Sequence, residues 1–165
     1  MKLSKYIDHT LLKADASLSA IAKLCEEAID YDFKSVCVNT CNIEFCKEKL
    51  KGSDVLVCCV IGFPLGAMST QAKVFEAKDA VEKGADEVDM VLNIGRLKDK
   101  DYAYVTDEIA QIKQAVGDKT LKVIIETCLL TDEEKIEACK CILEAKADFV
   151  KTSTGFSTSG ATFED

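Results

Sequence analysis

The sequence predicts an α/β protein whose strands form a parallel sheet. Short apolar strands alternate with amphipathic helical segments along all 165 residues, and this alternation is typical of parallel sheets. The strands are apolar on both faces, which indicates a sheet that is covered or closed. An open doubly wound sheet and a (β/α)-barrel both fit these observations. The first strand is not followed by Gly-x-Gly-x-x-Gly, the main sequence signal for a dinucleotide-binding sheet.

Six strands are predicted from short runs rich in apolar and β-branched residues. They are Asp8–Leu12, Ser35–Thr40, Asp54–Phe63, Glu87–Ile94, Leu121–Thr127 and Phe149–Thr154. A complete eight-stranded barrel typically needs about 250 residues. The 165 residues therefore predict a single domain, residues 1–165, which holds about six of the eight units if the sheet is of the (β/α)8 type.

Helices are predicted between the strands from the 3.6-residue spacing of apolar side chains and from capping residues. Ser17 is expected to cap the first helix, Gly117 to close the fourth, and Thr131 with Glu134 to form a capping box. The predicted helices are Leu18–Tyr31, Ile43–Leu50, a third from Ser69 or Thr70 to Gly84, Asp99–Val116, and a fifth that opens at Thr131. Thr162–Asp165 predicts the first turn of a sixth helix.

The excess of acidic over basic residues limits the kinds of molecule that the protein is expected to bind. The net charge is −8 and the isoelectric point is near 4.8, which argues against nucleic acid or an anionic membrane as a partner. No apolar run is long enough to span a bilayer. The first residues, Met1–Asp8, lack the apolar core of a secretory signal, so a cytoplasmic location is expected.

Nine cysteines raise the question of disulfides or a metal. Their number is odd, and most sit within apolar patterns, as Cys37, Cys58 and Cys141 do, which predicts reduced thiols in the core or on helices. There is no Cys-x-x-Cys pair, and His9 is the only histidine. These spacings predict no zinc site.

Charged side chains interrupt three of the apolar strands. Asp89 lies in the fourth strand, Lys122 and Glu126 share one face of the fifth, and Lys151 precedes a Thr-Ser-Thr-Gly run in the sixth. Taken alone, Lys151 fits an edge-strand lysine better than a nucleophile. Together the charges fit either a structural ion-pair network or a catalytic cluster at the carboxyl ends of the strands, where barrel enzymes keep their sites.

A lysine beside a carboxylate in a dry pocket suits chemistry on a carbonyl group. Attack requires the neutral amine, which is about one in 2,500 of free lysine side chains at pH 7. Lowering the pKa to about 7 corresponds to roughly 4.6 kcal/mol against the ammonium, which desolvation and a second nearby cation can supply. The protonated imine is an electron sink for carbon–carbon cleavage, and Asp89 suits proton shuttling.

Six short motifs, spread over essentially the whole chain, carry a resemblance to a known family. They are Asp8-His9-Thr10-Leu11-Leu12, Ser35-Val36-Cys37-Val38-Asn39, Gly62-Phe63-Pro64-Leu65-Gly66, Gly84-Ala85-Asp86-Glu87-Val88-Asp89-Met90-Val91, Leu121-Lys122-Val123-Ile124-Ile125-Glu126-Thr127 and Phe149-Val150-Lys151-Thr152-Ser153-Thr154-Gly155-Phe156. In this order and spacing, the sequence resembles the deoxyribose-phosphate aldolase family, which are class I aldolases built on a TIM barrel.

The resemblance implies a reaction and roles for its residues. The reaction is the reversible cleavage of 2-deoxy-D-ribose 5-phosphate, a small phosphorylated sugar, to D-glyceraldehyde 3-phosphate and acetaldehyde, with no metal or organic cofactor. Lys151 is implied to be the Schiff-base lysine, Asp89 a proton donor or acceptor, and Lys122 a supporting cation. Cys37 is implied to line the pocket, and Thr10 and Thr154 are implied to line it to a lesser extent.

Two features of that family are not found in these 165 residues. One is a seventh strand with a further lysine, expected to lower the pKa of Lys151, and the other is an eighth strand that holds the phosphate. The barrel is therefore expected to be incomplete at its C-terminal end, with Gly155 in a partial phosphate site. Open edges at the first and sixth strands predict a homo-oligomer, a dimer, and leave a non-catalytic binding or assembly module as the alternative function. A thiol-redox or metal protein is a third alternative.

Overall fold

The computed structural model of the protein describes residues 2–165. Six strands form one sheet in chain order, and every neighbouring pair is parallel. They are β1 Asp8–Leu11, β2 Ser35–Asn39, β3 Leu56–Ile61, β4 Glu87–Val91, β5 Thr120–Ile124 and β6 Phe149–Lys151. All six predicted strands are confirmed, although most of them are shorter than their apolar runs.

Six α-helices connect or follow the strands. They are α1 Leu18–Asp30, α2 Ile43–Lys49, α3 Thr70–Glu82, α4 Ile94–Lys98, α5 Tyr102–Val116 and α6 Asp132–Glu144. The hydroxyl oxygens of Ser17 and Ser69 accept the backbone N–H groups that open α1 and α3. Thr131 and Glu134 form the predicted capping box at α6. These caps confirm the helix starts that the sequence indicates.

Two sequence predictions are wrong. The pattern extends β4 to Ile94, whereas the chain turns after Val91 because the Asn93 side chain accepts the N–H of Arg96 at 3.1 Å and so opens α4. The predicted helical turn at Thr162–Asp165 is not formed. The Asp165 carboxylate accepts the Thr162 N–H at 3.0 Å, and it also accepts the Thr127 hydroxyl at 3.0 Å and pairs with Lys135 at 2.8 Å, so it ties this segment to α6.

The sheet is curled into an incomplete barrel. Lys122 Nζ in β5 lies 2.9 Å from Asp8 Oδ2 in β1, although three strands separate β1 from β5 in the sheet. In a flat sheet the two strands would be about 19 Å apart, which these two side chains cannot bridge. The curl excludes the open doubly wound sheet and confirms the barrel-type architecture.

The curl divides the interior into two apolar regions. The larger one fills the space between the sheet and the helices. The smaller one lies inside the curl and consists of Cys37, Cys58 and Val60, packed against Leu12 and Phe63. Because successive side chains of a strand point to opposite faces, Cys58 belongs to the inner region and Cys59 to the outer one.

The helices are those of a folded α/β domain. Within residues 2–165, none of them combines the length and the apolar character that crossing a membrane requires.

Candidate active site

Three neighbouring strands bring two lysines and an aspartate together inside the curl. Asp89 in β4 pairs in register with Lys122 in β5, and Lys151 is the last residue of β6, the next strand. Lys151 Nζ lies 2.6 Å from Asp89 Oδ2. The Asp89 side chain is fully buried, whereas that of Lys151 is 33% exposed. The structure therefore places these three predicted site residues in one cluster, with Lys151 on its accessible side.

Lys122 is surrounded by carboxylates. Its Nζ lies 2.5 Å from Glu87 Oε2, 2.9 Å from Asp8 Oδ2 and 3.3 Å from Asp89 Oδ1. The contact with Glu87 is electrostatic, because its angles fall outside hydrogen-bond geometry. The same Nζ also approaches Cys58 Sγ at 3.6 Å. Three carboxylates thus share the two ammonium groups of Lys122 and Lys151.

These contacts set the protonation of both lysines. Burial alone would lower the pKa of Lys151, but the Asp89 carboxylate more than offsets this and raises the pKa above its ordinary value. Burial likewise opposes the charge of Lys122, yet the Cys58 sulfur and the carboxylates of Asp89, Glu87 and Asp8 raise its pKa. Both lysines are therefore ammonium groups at neutral pH, in contrast to the lowered pKa that carbonyl attack favours.

Cys37 and Thr10 lie on the first strands of the same inner face. They are direct partners in the register of β1 and β2. Cys37 is fully buried, whereas Thr10 is exposed and its hydroxyl donates to the Asp8 carbonyl at 2.8 Å. Cys37 is thus part of the inner wall beside the cluster, and Thr10 is at its rim.

The loop after β6 is held by Glu126 rather than by the lysines. The buried Glu126 carboxylate accepts the Thr154 N–H at 3.1 Å and the Thr154 hydroxyl in a short hydrogen bond. Thr154 Oγ1 in turn accepts the Phe156 N–H at 3.0 Å. Gly155, between them, is exposed and has φ +79°. Glu126 therefore does not join the charged cluster, although the sequence pattern puts it on the same face as Lys122.

Glu126 also carries an unusual backbone conformation. Its φ of 56° and ψ of 66° place it in the left-handed region, which costs a non-glycine residue energy and is found mostly where surrounding contacts enforce it. The two hydrogen bonds to Thr154 are such contacts, and they tie the end of β5 to the loop that follows Lys151.

Several members of the site were not singled out by sequence reasoning. Asp8, Glu87 and Cys58 all touch Lys122. Glu87 carried a signal, since it stands two residues before Asp89 and therefore shares its face. Cys128 was missed as well: hydrogen bonds to Ser157 and Thr158 lower the pKa of its thiol to about 7.

The cluster opens into a cleft of about 390 Å³ beside β6. Lys122 and Lys151 line its wall together with Asp8 and Glu87. A small organic molecule that enters this cleft meets the ammonium groups of Lys122 and Lys151 and the carboxylates of Asp8 and Glu87. Asp89 contacts Lys151 but is buried and does not itself line the cleft. This combination can form an imine with a carbonyl compound and move protons around it.

Known proteins share both the sequence and the fold. The family model described as DeoC/LacD family aldolase matches residues 2–165. The deoxyribose-phosphate aldolase of Finegoldia magna is 64% identical over 165 residues, which cover 100% of this chain and 78% of that relative. Such relatives favour an aldolase over a binding or assembly module.

Two solved structures extend the comparison to the fold. A crystal structure provisionally assigned as a deoxyribose-phosphate aldolase, from Coccidioides immitis, has a TM-score of 0.98 and 45% identity, and the match covers 99% of this chain. The structure of the enzyme from Aeropyrum pernix, described as tetrameric, has a TM-score of 0.85 and 32% identity over 96% of this chain. This chain spans 64% and 67% of their respective lengths.

Proposed function

The chain belongs to the DeoC/LacD family of aldolases, and from this premise we propose that it is a class I aldolase acting on 2-deoxy-D-ribose 5-phosphate. The products are D-glyceraldehyde 3-phosphate and acetaldehyde, and the reaction is reversible. The observation that carries the proposal is the 2.6 Å contact between Lys151 Nζ and Asp89 Oδ2, because it joins a solvent-reachable amine to a buried proton acceptor.

Lys151 is the nucleophile in this proposal. Its ammonium passes a proton to Asp89, and the neutral amine attacks the C1 aldehyde carbon of the open-chain sugar. Loss of water from the resulting carbinolamine gives a protonated imine, so the carbonyl oxygen leaves as water. Because the pKa of Lys151 is raised, the free amine is scarce, and the Asp89 carboxylate in direct contact takes up the proton that must leave before the amine attacks.

The carbon–carbon bond breaks in the second stage. A base removes the hydroxyl proton at C3, the C2–C3 bond breaks, and its electron pair forms an enamine with the iminium nitrogen as the sink. The three carbons C3 to C5 leave as D-glyceraldehyde 3-phosphate. Protonation at C2 and hydrolysis of the imine release acetaldehyde and restore Lys151. Asp89 is proposed to carry these protons, directly or through water.

The remaining residues have supporting roles in the proposal. Lys122, 3.3 Å from Asp89 Oδ1, holds the Asp89 carboxylate in place beside Lys151. Cys37 walls the pocket, with Thr10 and Thr154 at its edges. Since the N–H groups of Thr154 and Phe156 already have acceptors, the sugar phosphate is proposed to use the backbone N–H of Gly155 and those that follow Phe156. No metal or organic cofactor takes part in these steps.

The proposal also covers the setting of the enzyme. We place it in the cytoplasm, in deoxyribonucleotide catabolism, because all nine thiols are free, as suits a reducing compartment. A homo-oligomer, a dimer in the first instance, is proposed because β1 and β6 are the edges of the sheet; the relative from Aeropyrum pernix is described as tetrameric.

A cleavage assay tests the reaction. Purified protein is given 2-deoxy-D-ribose 5-phosphate, and the release of acetaldehyde is measured. Lys151→Arg keeps the charge beside Asp89 but cannot form the imine, so we expect a loss of roughly 10⁴-fold or more. Lys78→Arg, on the exposed face of α3, is the matched control and keeps the wild-type rate. Equal rates for Lys151→Arg and wild type, or no cleavage by the wild type, would contradict the proposal.

A further inference from the structure

Two thiols and a carboxylate meet inside the curl, beside the lysines. Cys37, Cys58 and Asp89 come from three successive strands, β2, β3 and β4, and all three side chains are fully buried. One ligand atom from each, two sulfurs and a carboxylate oxygen, lies within 4.8 Å of the other two. Cys37 and Cys58 are direct partners in register, and Cys58 Sγ is 3.2 Å from Asp89 Oδ1.

We propose that Cys37, Cys58 and Asp89 form a binding site for a thiophilic divalent cation such as Zn²⁺, and that the bound cation inhibits the aldolase. Cysteine thiolates and carboxylates are both zinc ligands, and three protein ligands with a water complete a tetrahedron. Two sulfurs on one tetrahedral zinc are roughly 3.8 Å apart, given Zn–S bonds of about 2.3 Å. The two sulfur atoms lie within 4.8 Å of each other, so they need to approach by at most about 1 Å to reach that separation.

The charge of the interior permits such an ion. Asp8, Glu87 and Asp89 carry three negative charges, and Lys122 and Lys151 carry two positive ones. A divalent cation that binds two thiolates displaces two thiol protons, so the net charge of the cluster is the same before and after binding. Lys122, 3.6 Å from Cys58 Sγ, is placed to donate to the thiolate that forms.

Inhibition follows from the shared carboxylate and rests on the proposed function. Asp89 accepts the proton of Lys151 in the aldolase mechanism, and a cation on Oδ1 withdraws electron density from that carboxylate. Asp89 then ceases to be an effective proton acceptor, and general acid–base contributions of this kind are worth about 10²- to 10⁴-fold in rate. Zinc bound at this site is therefore expected to lower cleavage by at least about tenfold.

The competing interpretation is that the thiols only fill the inner apolar region. Cys37 and Cys58 pack with Val60, Leu12 and Phe63, and buried free cysteines are common as small apolar side chains. The two interpretations differ in what happens when a metal is added, because packing thiols bind none at stoichiometric concentration.

Cobalt titration separates them. Co²⁺ alone is added to the reduced protein in a thiol-free reductant, and the thiolate-to-cobalt charge-transfer absorption is recorded. We expect one Co²⁺ per chain, displaced by Zn²⁺, and loss of the band in Cys37→Ala and in Cys58→Ala. Two control variants should keep the absorption band. Cys59→Ala removes a thiol that faces the helices. Cys46→Ala removes a buried thiol that lies beside Cys25, also in the outer apolar region. Circular dichroism shows that each variant is folded.

The experiments distinguish failure of the proposed metal site from failure of the proposed aldolase reaction. Absence of the band, or a band that survives both Cys37→Ala and Cys58→Ala, overturns the metal site. Zn²⁺ should slow cleavage by the wild type, and leave the rate of Cys58→Ala unchanged relative to its own zinc-free rate. If cobalt binds as expected but the protein has no cleavage activity, the proposed function fails while the site stands. If zinc is bound and cleavage continues undiminished, the inhibitory role is overturned.

Discussion

Two lysines of this molecule, Lys73 and Lys151, have opposite surroundings. Lys73 in α3 lies outside the sheet, is fully buried, and donates to Glu108 Oε2 at 2.8 Å and to the Val91 carbonyl at 2.9 Å. Lys151 lies inside the curl, is partly exposed, and has Asp89 as its ion-pair partner. One ammonium group is enclosed and donates to two acceptors, whereas the other lines a cleft. We propose that access and an adjacent proton acceptor, rather than burial, distinguish a reactive lysine.

The pKa shifts of the two lysines reinforce this difference. Burial lowers the pKa of Lys73, with Glu108 opposing the effect, while Asp89 raises the pKa of Lys151. A search for a lysine with a lowered pKa, the usual signature of an amine nucleophile, would select Lys73, which no substrate can reach. The direction of a shift is informative only together with the space around the group.

The largest difference between the two lysines is expected in the loss of stability when each is replaced by alanine. Lys73→Ala leaves the Glu108 carboxylate buried without its cation, which costs about 3–5 kcal/mol and lowers the melting temperature by roughly 6–20 °C for a chain of this size. Lys151→Ala should cost much less, because Asp89 keeps Lys122 and Cys58 as partners. Calorimetry on both variants measures the difference.

A double substitution tests whether the loss of stability comes from the unpaired Glu108 carboxylate. Lys73→Met with Glu108→Leu removes both charges, and we expect most of the lost stability to return, since a buried ion pair replaced by apolar side chains is often neutral. If Lys73→Ala melts at the wild-type temperature, Lys73 is not the structural counterpart of Lys151.

A smaller effect concerns the pH dependence of imine formation. A raised pKa means that the neutral amine fraction of Lys151 grows with pH until that pKa, above 10.5, is reached. The rate of imine trapping from acetaldehyde should therefore rise with pH without levelling off in the neutral range. Asp89→Asn removes the charge that raises the pKa, so the bend in the profile moves to lower pH.

The control for that profile is Asp107→Asn on the exposed face of α5, which should leave the bend where it is in the wild type. The measurement is the trapping rate with cyanoborohydride at a series of pH values. A bend at the same pH in wild type and Asp89→Asn would show that Asp89 does not control the protonation of Lys151.

Much of the fold could be predicted because the local signals agree with one another. The apolar runs predict the strands. The serine caps at α1 and α3 and the capping box at α6 predict where those helices begin. The errors lie where a side chain competes with the pattern: Asn93 opens α4 inside a run that reads as strand, and Asp165 satisfies the Thr162 N–H without a helix. The curl itself left no local signal, since it depends on contacts such as Lys122 with Asp8.

The site could be predicted in part for the same reason. The period of two within a strand places Asp89, Lys122 and Lys151 on inner faces, and the register then brings them together. It could not show that Glu126 turns away, because the residue lies beyond the end of β5 in a left-handed conformation. Nor could the spacing of cysteines reveal Cys37 beside Cys58, whose proximity comes from two separate strands.

We propose that Lys151, and not Lys73, forms the imine. The most direct test is to find which lysine carries a trapped imine. Purified protein is incubated with acetaldehyde and cyanoborohydride, digested, and the N-ethyl-lysine positions are mapped by mass spectrometry. We expect a single dominant adduct at Lys151, with none at Lys73 or Lys122. A dominant adduct at another lysine, or no adduct at Lys151, would contradict the assignment of Lys151 as the nucleophile.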